Sequence, residues 1–577
     1  MPLDSVTLSA LAEELRPRLV GARVDKVQQP ERDTVLLSVH GRDENFRLTV
    51  CGGVGNARVH ITAARYENPA QPPMFCMLLR KHLTGARIAE LDQPQRERIL
   101  LLHFDARDEM GAAVRRTLAV EMIGRGTNLI LIDGEGCIID CLRRVDAEMS
   151  ALRQVLPGLR YRLPLQQSKP DFFSLNSEER RTLWANWDGQ TPPDKWLLNT
   201  FSALSPLLCR EMVWRCGGDM TALPAQMDAL CASVENGTFT PFMLLQDGKP
   251  KDFSCFRIGQ YENAMECETF PGFSALLDAF YTRRSQMEEL RRRTQSLRRT
   301  VKTARDRAQR KCALQTEELA RTANREQKRR WGDLITANLY RAPKPGAAEM
   351  TVEDFYTESC PMVTVPLDPR KTAQANAAAY YKEYAKARTA ERYLTELLEQ
   401  SRRDARYLES VLDELERVSG EADVAEIRRE LEETGYLRTP KQKSGKRPRE
   451  RESAPLRYRS SGGYEILVGR SNRQNDQLTG KIAHKGDLWF HTQKIHGSHV
   501  ILRCAGADPD AQSIREAAAL AATHSQAASG GKVAVDYTRV KLVKKPAGEL
   551  PGMVIYSGQT TVIAEADAAL AERLKTD

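Results

Sequence analysis

A chain of 577 residues and 64.9 kDa exceeds what one hydrophobic core organises, so roughly three or four domains are expected. Hydrophobic residues make up 41% and charged residues 28%, mean hydropathy is −0.50, and no apolar run reaches the length of about eighteen residues that a membrane-spanning helix needs. The net charge of +9 is uneven: residues 281–330 carry 17 Lys+Arg against 6 Asp+Glu, residues 441–460 carry 8 against 2, and the remainder sums to −8. The two basic segments are therefore candidates for contact with a polyanion, nucleic acid first.

The N-terminal stretch MPLDSVTLSALAEEL has no basic leader and acquires acidic residues early, so a cytoplasmic chain is expected. Leu8, Leu11, Leu15 and Leu19 fall near helical spacing. After them DTVLLSVHG, NFRLTVCG and ARVHITA read as short antiparallel strands, PPMFCMLLRKHL as a helix, and RERILLLHFDA, RRTLAVEMIG and TNLILIDGEGCIIDCL as further strands, with DGEG a turn. Residues 1–175 are expected to form an α+β domain, completed by strand-like residues 236–275. Residues 176–235 read as a small helical module of helix-hairpin-helix type, whose turn Ala203-Leu204-Ser205-Pro206 lacks the usual glycine.

From about residue 276 to 440 the pattern is that of a coiled coil. Met287, Leu290, Leu297, Val301, Ala304 and Ala308 follow alternating three- and four-residue steps, with Thr294 the polar member. Ala377, Tyr380, Tyr384, Ala387, Leu394, Leu398, Ala405, Leu408, Leu412 and Leu415 repeat the rhythm, with Glu391 and Ser401 polar. Two such arms in one chain predict an antiparallel hairpin with a folded tip near 331–376. Residues 441–456 read as a basic linker and 457–577 as a second β-rich domain around the helix DAQSIREAAALAATHSQAA. The fold class is thus α+β and multidomain.

Twelve cysteines without a Cys-x-x-Cys pair argue for buried apolar thiols rather than a metal or redox site. His484, His491, His496, His499 and His524 cluster in the last domain without HxH or HExxH spacing, so neither a metal nor another cofactor is expected. If Met1 is removed, Pro2 offers a secondary amine, the nucleophile of DNA-lyase chemistry, but the carboxylate that such chemistry uses is replaced by Leu3. A binding surface is the stronger reading of SNRQNDQLTGKIAHKGDLWFHTQKIHGSH, where Arg470, Asn472, Arg473, Asn475, Lys481 and Lys485 surround Trp489 and Phe490 as phosphate donors beside aromatics. Near the N-terminus, Glu97 and Arg98 precede a strand, and Glu121 and Arg125 stand in VEMIGRGTN, whose Gly124 and Gly126 allow close backbone approach.

Taken together, RVDKVQQP, ARVHITAARYENPAQPPMFCMLLRKHL, RERILLLHF, EMIGRGTNLIL, TANLY, VPLDP, ILVGRSNRQND, DLWFHTQKIHGSHV and VDYTRVKLVKKPAGELPGMVIY resemble the NFACT family over essentially all 577 residues. The resemblance implies a ribosome-associated scaffold and not an enzyme. Its expected partners are the large ribosomal subunit (rRNA and stalk base), tRNA, the nascent-chain peptidyl-tRNA and the accessory factor RqcP, with no membrane. It implies tRNA contact at Glu97 and Arg98, where the family has Asp-Arg, at Asp4, and at Glu121, Met122 and Ile123, with Arg125 beside them. It also implies that the last domain meets tRNA or ribosome through residues such as Arg470, Asn472, Arg473, Lys481, Lys485, His491 and His499. The activity implied is template-free C-terminal alanine tailing of stalled chains. A fibronectin-binding surface adhesin and the Pro2-dependent lyase are the alternatives.

Overall fold

The computed structural model describes residues 3–164, 168–344, 346–438 and 453–576. Pro2 and residues 441–452 of the expected linker lie outside the described residues. Two compact units divide the chain, the first ending at Glu288 and the second beginning at Glu289.

The first unit opens with α1 (Ser5–Leu19), whose Leu8, Leu11, Leu15 and Leu19 are fully buried, as their spacing predicts. A nine-stranded antiparallel sheet follows: β1 (Arg23–Glu31), β2 (Thr34–His40), β3 (Asn45–Cys51), β4 (Arg58–Thr62), then α2 (Met74–Leu83), and β5 (Arg87–Asp92), β6 (Ile99–Arg107), β7 (Ala113–Glu121), β8 (Asn128–Ile132) and β9 (Ile138–Cys141). The order is β4-β3-β2-β1-β5-β6-β7-β8-β9. Every neighbouring pair except β1–β5 is also consecutive in sequence, so two meanders that need only short turns, β1–β4 and β5–β9, meet in one sheet; α2 lies in the longer connection that carries the chain from β4 at the edge back to β5 beside β1. The sheet is joined across its middle by one β1–β5 partner pair, Arg23 with Arg87.

The helices α3 (Ser177–Ala185), α4 (Pro193–Thr200), α5 (Pro206–Arg215) and α6 (Leu223–Glu235) gather around a separate core of Phe172, Leu197, Phe201, Cys209, Met212 and Met227. Between α4 and α5 the missing glycine is replaced by Ala203 at φ +65°, and Ser205 caps α5. The strands β10 (Phe242–Gln246), β11 (Lys249–Ser254) and β12 (Glu266–Thr269) form their own small sheet, whose Phe242, Met243, Leu244 and Phe253 enter the same core as the nine-stranded sheet.

The start of α7 (Phe273–Arg321) seals the exposed edge of that sheet. Ile61 N–H donates to Ser274 Oγ (3.3 Å) and Ala63 N–H to Asp278 Oδ2 (3.0 Å), so β4 is not left as a template for foreign strands. Glu14 in turn accepts from the first α7 amides, Phe273 (2.5 Å) and Ser274 (3.0 Å).

In the second unit α7 continues, followed by α8 (Arg325–Ala337), a two-stranded tip of β13 (Glu349–Glu353) and β14 (Met362–Pro366), and the return arm α9 (Ala373–Glu416). Cross-arm partners prove the antiparallel pairing: Arg298 meets Glu416, Gln309 meets Glu409, Arg325 meets Glu391 and Lys328 meets Glu383. At 1.5 Å per residue, the 49 residues of α7 alone extend about 74 Å. Leu297, Val301, Leu408 and Leu415 of the expected seam are buried. The sequence pattern did not announce α10 (Glu421–Glu433), which packs Val424, Ile427 and Leu431 on the same cluster; this is why Tyr407 and Val411, off the two-helix seam, are buried as well.

The C-terminal region contains β15 (Leu456–Arg459), β16 (Glu465–Val468), α11 (Asn472–Gln477), β17 (Leu488–Thr492), β18 (Val500–Leu502), α12 (Ala511–Thr523), β19 (Lys532–Arg539), β20 (Val543–Lys544), β21 (Ile555–Tyr556), β22 (Thr560–Glu565) and α13 (Ala568–Leu574). Six strands pair in the order β15-β16-β18-β17-β19-β22. On one face lie α12 and the core of Ile466, Leu488 and Phe490; the other face buries Leu467, Trp489 and Ile501. No described helix is long and apolar enough to cross a membrane.

Candidate nucleic-acid interface

The link between β5 and β6 carries the Glu97 and Arg98 pair. It turns through two consecutive non-glycine residues at positive φ, Gln95 (51°) and Arg96 (50°), a conformation that costs on the order of 1–3 kcal/mol per residue. The Gln93 amide holds this turn. Its Oε1 accepts from Ser9 Oγ (2.7 Å), while Nε2 donates to Ser5 O (3.1 Å) and to Glu97 O (3.0 Å). Arg96 sets its guanidinium over the Phe173 ring, 5.2 Å from the centroid.

Glu97 and Arg98 thereby line a pocket of 310 Å³ together with Asp4, Ile123, Lys169 and Asp252. The α4–α5 turn completes it with Phe201, Ala203 and Ser205. Ser5 Oγ donates to Ala203 O (2.8 Å), tying the start of α1 to that turn, and Lys169 Nζ donates to Leu198 O (2.7 Å). Asp4 is the N-cap of α1 and accepts from Thr7 N–H (2.8 Å). Burial raises the Asp252 carboxyl above the usual carboxylate range.

The half-buried Arg98 guanidinium has no hydrogen bond or ion pair among the described residues. An unengaged arginine fork beside carboxylates and a helix turn suits a phosphate or a nucleotide edge. The Ser5 hydroxyl donates to Ala203 O and the Ser205 hydroxyl accepts from the Leu208 amide of α5, so both serines serve to shape the pocket wall.

The neighbouring stretch divides. Ile123 reaches the pocket, and Arg125 stands exposed on the adjoining turn. Glu121 and Met122 do not present themselves to a ligand. Glu121 is 1% exposed, accepting from Arg153 (2.5 and 3.0 Å) and from the Tyr161 hydroxyl (2.9 Å), and Met122 is fully buried in the core. As consecutive residues at the end of β7 they fall on opposite faces of the sheet, both of them covered: Met122 joins the main core and Glu121 anchors the segment after β9.

The C-terminal residues named from the sequence are more widely engaged within the protein. Arg470 pairs with Asp423 (2.5 Å), Arg473 with Glu433 (2.8 Å), and Asn472, 6% exposed, donates to Ser410 (3.0 Å) and Glu430 (3.4 Å). The acidic α10 thus takes up donors that the sequence reading assigned to RNA. His499 is 1% exposed, with Thr479 Oγ1 2.8 Å from its Nδ1, and burial pushes it down to about 3. His491 stacks on Trp489 with rings 5.7 Å apart and is pushed down to about 4 by burial, so both histidines are neutral fillers of a ring cluster at ordinary pH. Lys481 and Lys485 are exposed.

Residues 4–450 match the NFACT N-terminal and middle domains, and residues 455–563 match the NFACT protein RNA binding domain. The chain belongs to the NFACT family. This NFACT chain is 36% identical over 577 residues, all of both chains, to the Rqc2 homolog RqcH of Bacillus subtilis. It is 31% identical over 140 residues, 24% of this chain and 12% of the relative, to the ribosome quality control complex subunit NEMF of Homo sapiens. Among solved structures it is similar to the fibrinogen binding protein from Staphylococcus aureus, with a TM-score of 0.42 at 28% identity over 49% of this chain and 99% of that one.

Proposed function

We propose that this chain is a ribosome quality-control scaffold that holds tRNA on an obstructed large ribosomal subunit carrying peptidyl-tRNA and supports template-free alanine tailing of the stalled chain. The single observation that carries tRNA binding is the pocket in which Arg98, without a partner among the described residues, meets Glu97, Asp4 and the α4–α5 turn. Family membership and full-length similarity to a protein named RqcH support the ribosomal setting. The outbound arm adds to it: Arg299 and Arg310 lie opposite the buried Leu297 and Val301 and the half-buried Ala308, flanked by exposed Lys302 and Arg307, a basic stripe suited to rRNA. Peptide-bond formation is left to the ribosome, and the scaffold contributes a held encounter in place of a diffusive one.

The test is recovery of the tagged chain from its own cells with sequencing of the bound RNA. Large-subunit rRNA with a narrow set of tRNAs, alanine foremost, is the expected result, and absence of both at low salt overturns the reading. A second expectation concerns Gln93. Gln93→Ala removes two donors and an acceptor that hold the strained turn, each worth about 1 kcal/mol, and is expected to weaken tRNA binding roughly tenfold with Arg98 still present. Fluorescence anisotropy with labelled tRNA reads this, and unchanged affinity would mean that the turn keeps its shape unaided.

A further inference from the structure

Four lysines of the C-terminal region, only two of which the sequence reading singled out, come together on one surface. Lys481 and Lys485 precede β17, whereas Lys541 and Lys544 follow β19. The two segments run side by side: Lys541 N–H donates to Lys485 O (3.2 Å), and Ala483 and Val543 pack on the same small core around Trp489. All four side chains are exposed, and none has an ion pair or hydrogen bond among the described residues. Nearby acids are already matched, Asp476 by Lys545, Asp508 by Arg539 and Glu465 by Arg503. Ile482 and Ile555, 39% and 60% exposed, lie in the same two segments, Ile555 being the strand partner of Lys544.

What this surface lacks is equally informative. Proteins that hold single-stranded nucleic acid set exposed aromatic rings along a basic groove so that bases can stack. Here Trp489 and Phe490 are fully buried, and Tyr556 packs its ring 4.8 Å from Trp489 while its hydroxyl donates to Asp536 (2.8 Å). Charge without a stacking platform matches a partner whose bases are already stacked and whose phosphates are outside.

We propose that Lys481, Lys485, Lys541 and Lys544 form a docking surface for the phosphate backbone of double-helical RNA, which the C-terminal region grips without reading bases. The proposal takes from the proposed function only that the partner is RNA.

The test uses the full chain, a short RNA duplex without tRNA features, and poly(U) as the single-stranded probe. Lys541→Ala with Lys544→Ala is expected to flatten the slope of log K against log salt by about 2 for the duplex, close to one unit per lost phosphate contact. A control double variant of equal charge loss, Lys26→Ala with Lys249→Ala, both exposed in the first unit, is expected to keep the parent slope. An unchanged slope in the first variant, an equal flattening in the control, or poly(U) bound as tightly as the duplex would each overturn the proposal. Its failure is distinguishable from failure of the tRNA reading, because the latter is decided by Arg98 variants on tRNA, which leave these four lysines untouched.

Discussion

Arg98→Ala is expected to weaken tRNA binding by roughly tenfold to a hundredfold, with no change in the thermal melting of the protein. A charge-assisted hydrogen bond from a guanidinium is worth about 1.5–3 kcal/mol, and the loss of binding follows from that range. The fold is spared because the Arg98 side chain has no partner among the described residues, so its removal strands no buried acceptor. Its backbone carbonyl, which accepts from Met122 N–H (2.8 Å), is unaffected by the substitution. Arg98→Lys is expected to recover part of the affinity, since a lysine supplies the charge without the two-pronged geometry. Anisotropy titrations paired with melting curves read both quantities. Full tRNA affinity in Arg98→Ala would remove the pocket from the tRNA interface.

The second large effect is on pH dependence. Glu430 and Glu414 are 1% and 5% exposed, and each feels the charge of the other or of neighbouring acids. Burial raises both, Glu430 to about 7, although Tyr407 Oη (2.8 Å), Asn472 Nδ2 (3.4 Å) and Arg473 N–H (3.2 Å) all donate to its carboxylate. Around them stand Asp413, Asp423, Glu426 and Asp476 on the acidic side, and Arg417, Arg470 and Arg473 on the basic side.

A carboxyl whose folded value lies above its unfolded one binds more protons when folded. Its favourable contribution is therefore complete below about pH 4.5 and is lost as pH rises toward 7. At roughly 1.4 kcal/mol per unit, the loss for Glu430 is up to about 3 kcal/mol, which is expected to loosen the packing of α10 against α9 and the C-terminal region. Hydrogen exchange of α9 and α10 amides should accelerate between pH 5.5 and 7.5 beyond the intrinsic base-catalysed rate. Glu430→Gln should flatten that dependence. If the variant keeps the parent pH profile, this carboxyl does not control the packing.

The most readable parts of the chain were those with a strong period. Leucines at helical spacing marked α1, short β-rich runs broken by Gly, Asn or charge marked β2, β3, β6, β7 and β8, and the three-four rhythm marked both arms of the hairpin. The elements that escaped were those whose pattern is mixed. RVDKVQQPE, which becomes β1, alternates irregularly, and α10 is so acidic that its apolar Val424, Ile427 and Leu431 are easily missed.

The candidate site was legible as positions but not as a place. Asp4, Glu97, Arg98 and Ile123 were named from the resemblance, yet nothing local indicated that Lys169, Phe201, Ala203 and Asp252 would close around them. Gln93 gave no signal at all, since its Ser9 partner is 84 residues away and a lone glutamine in a chain is unremarked. Composition also could not say whether Arg470, Asn472 and Arg473 would face solvent or the acids of α10. Charge type is a property of the residue, whereas the partner that neutralises it depends on which element packs opposite.

What the chain determines by itself is therefore its periodic elements, its basic segments and its family, because these depend on residues close in sequence or on the pattern as a whole. Tertiary structure alone decides which charges remain available. It assembles the Arg98 pocket from six separated segments, consumes one set of arginines inside the second unit, and leaves the four lysines outside, because burial and pairing arise only when distant elements meet.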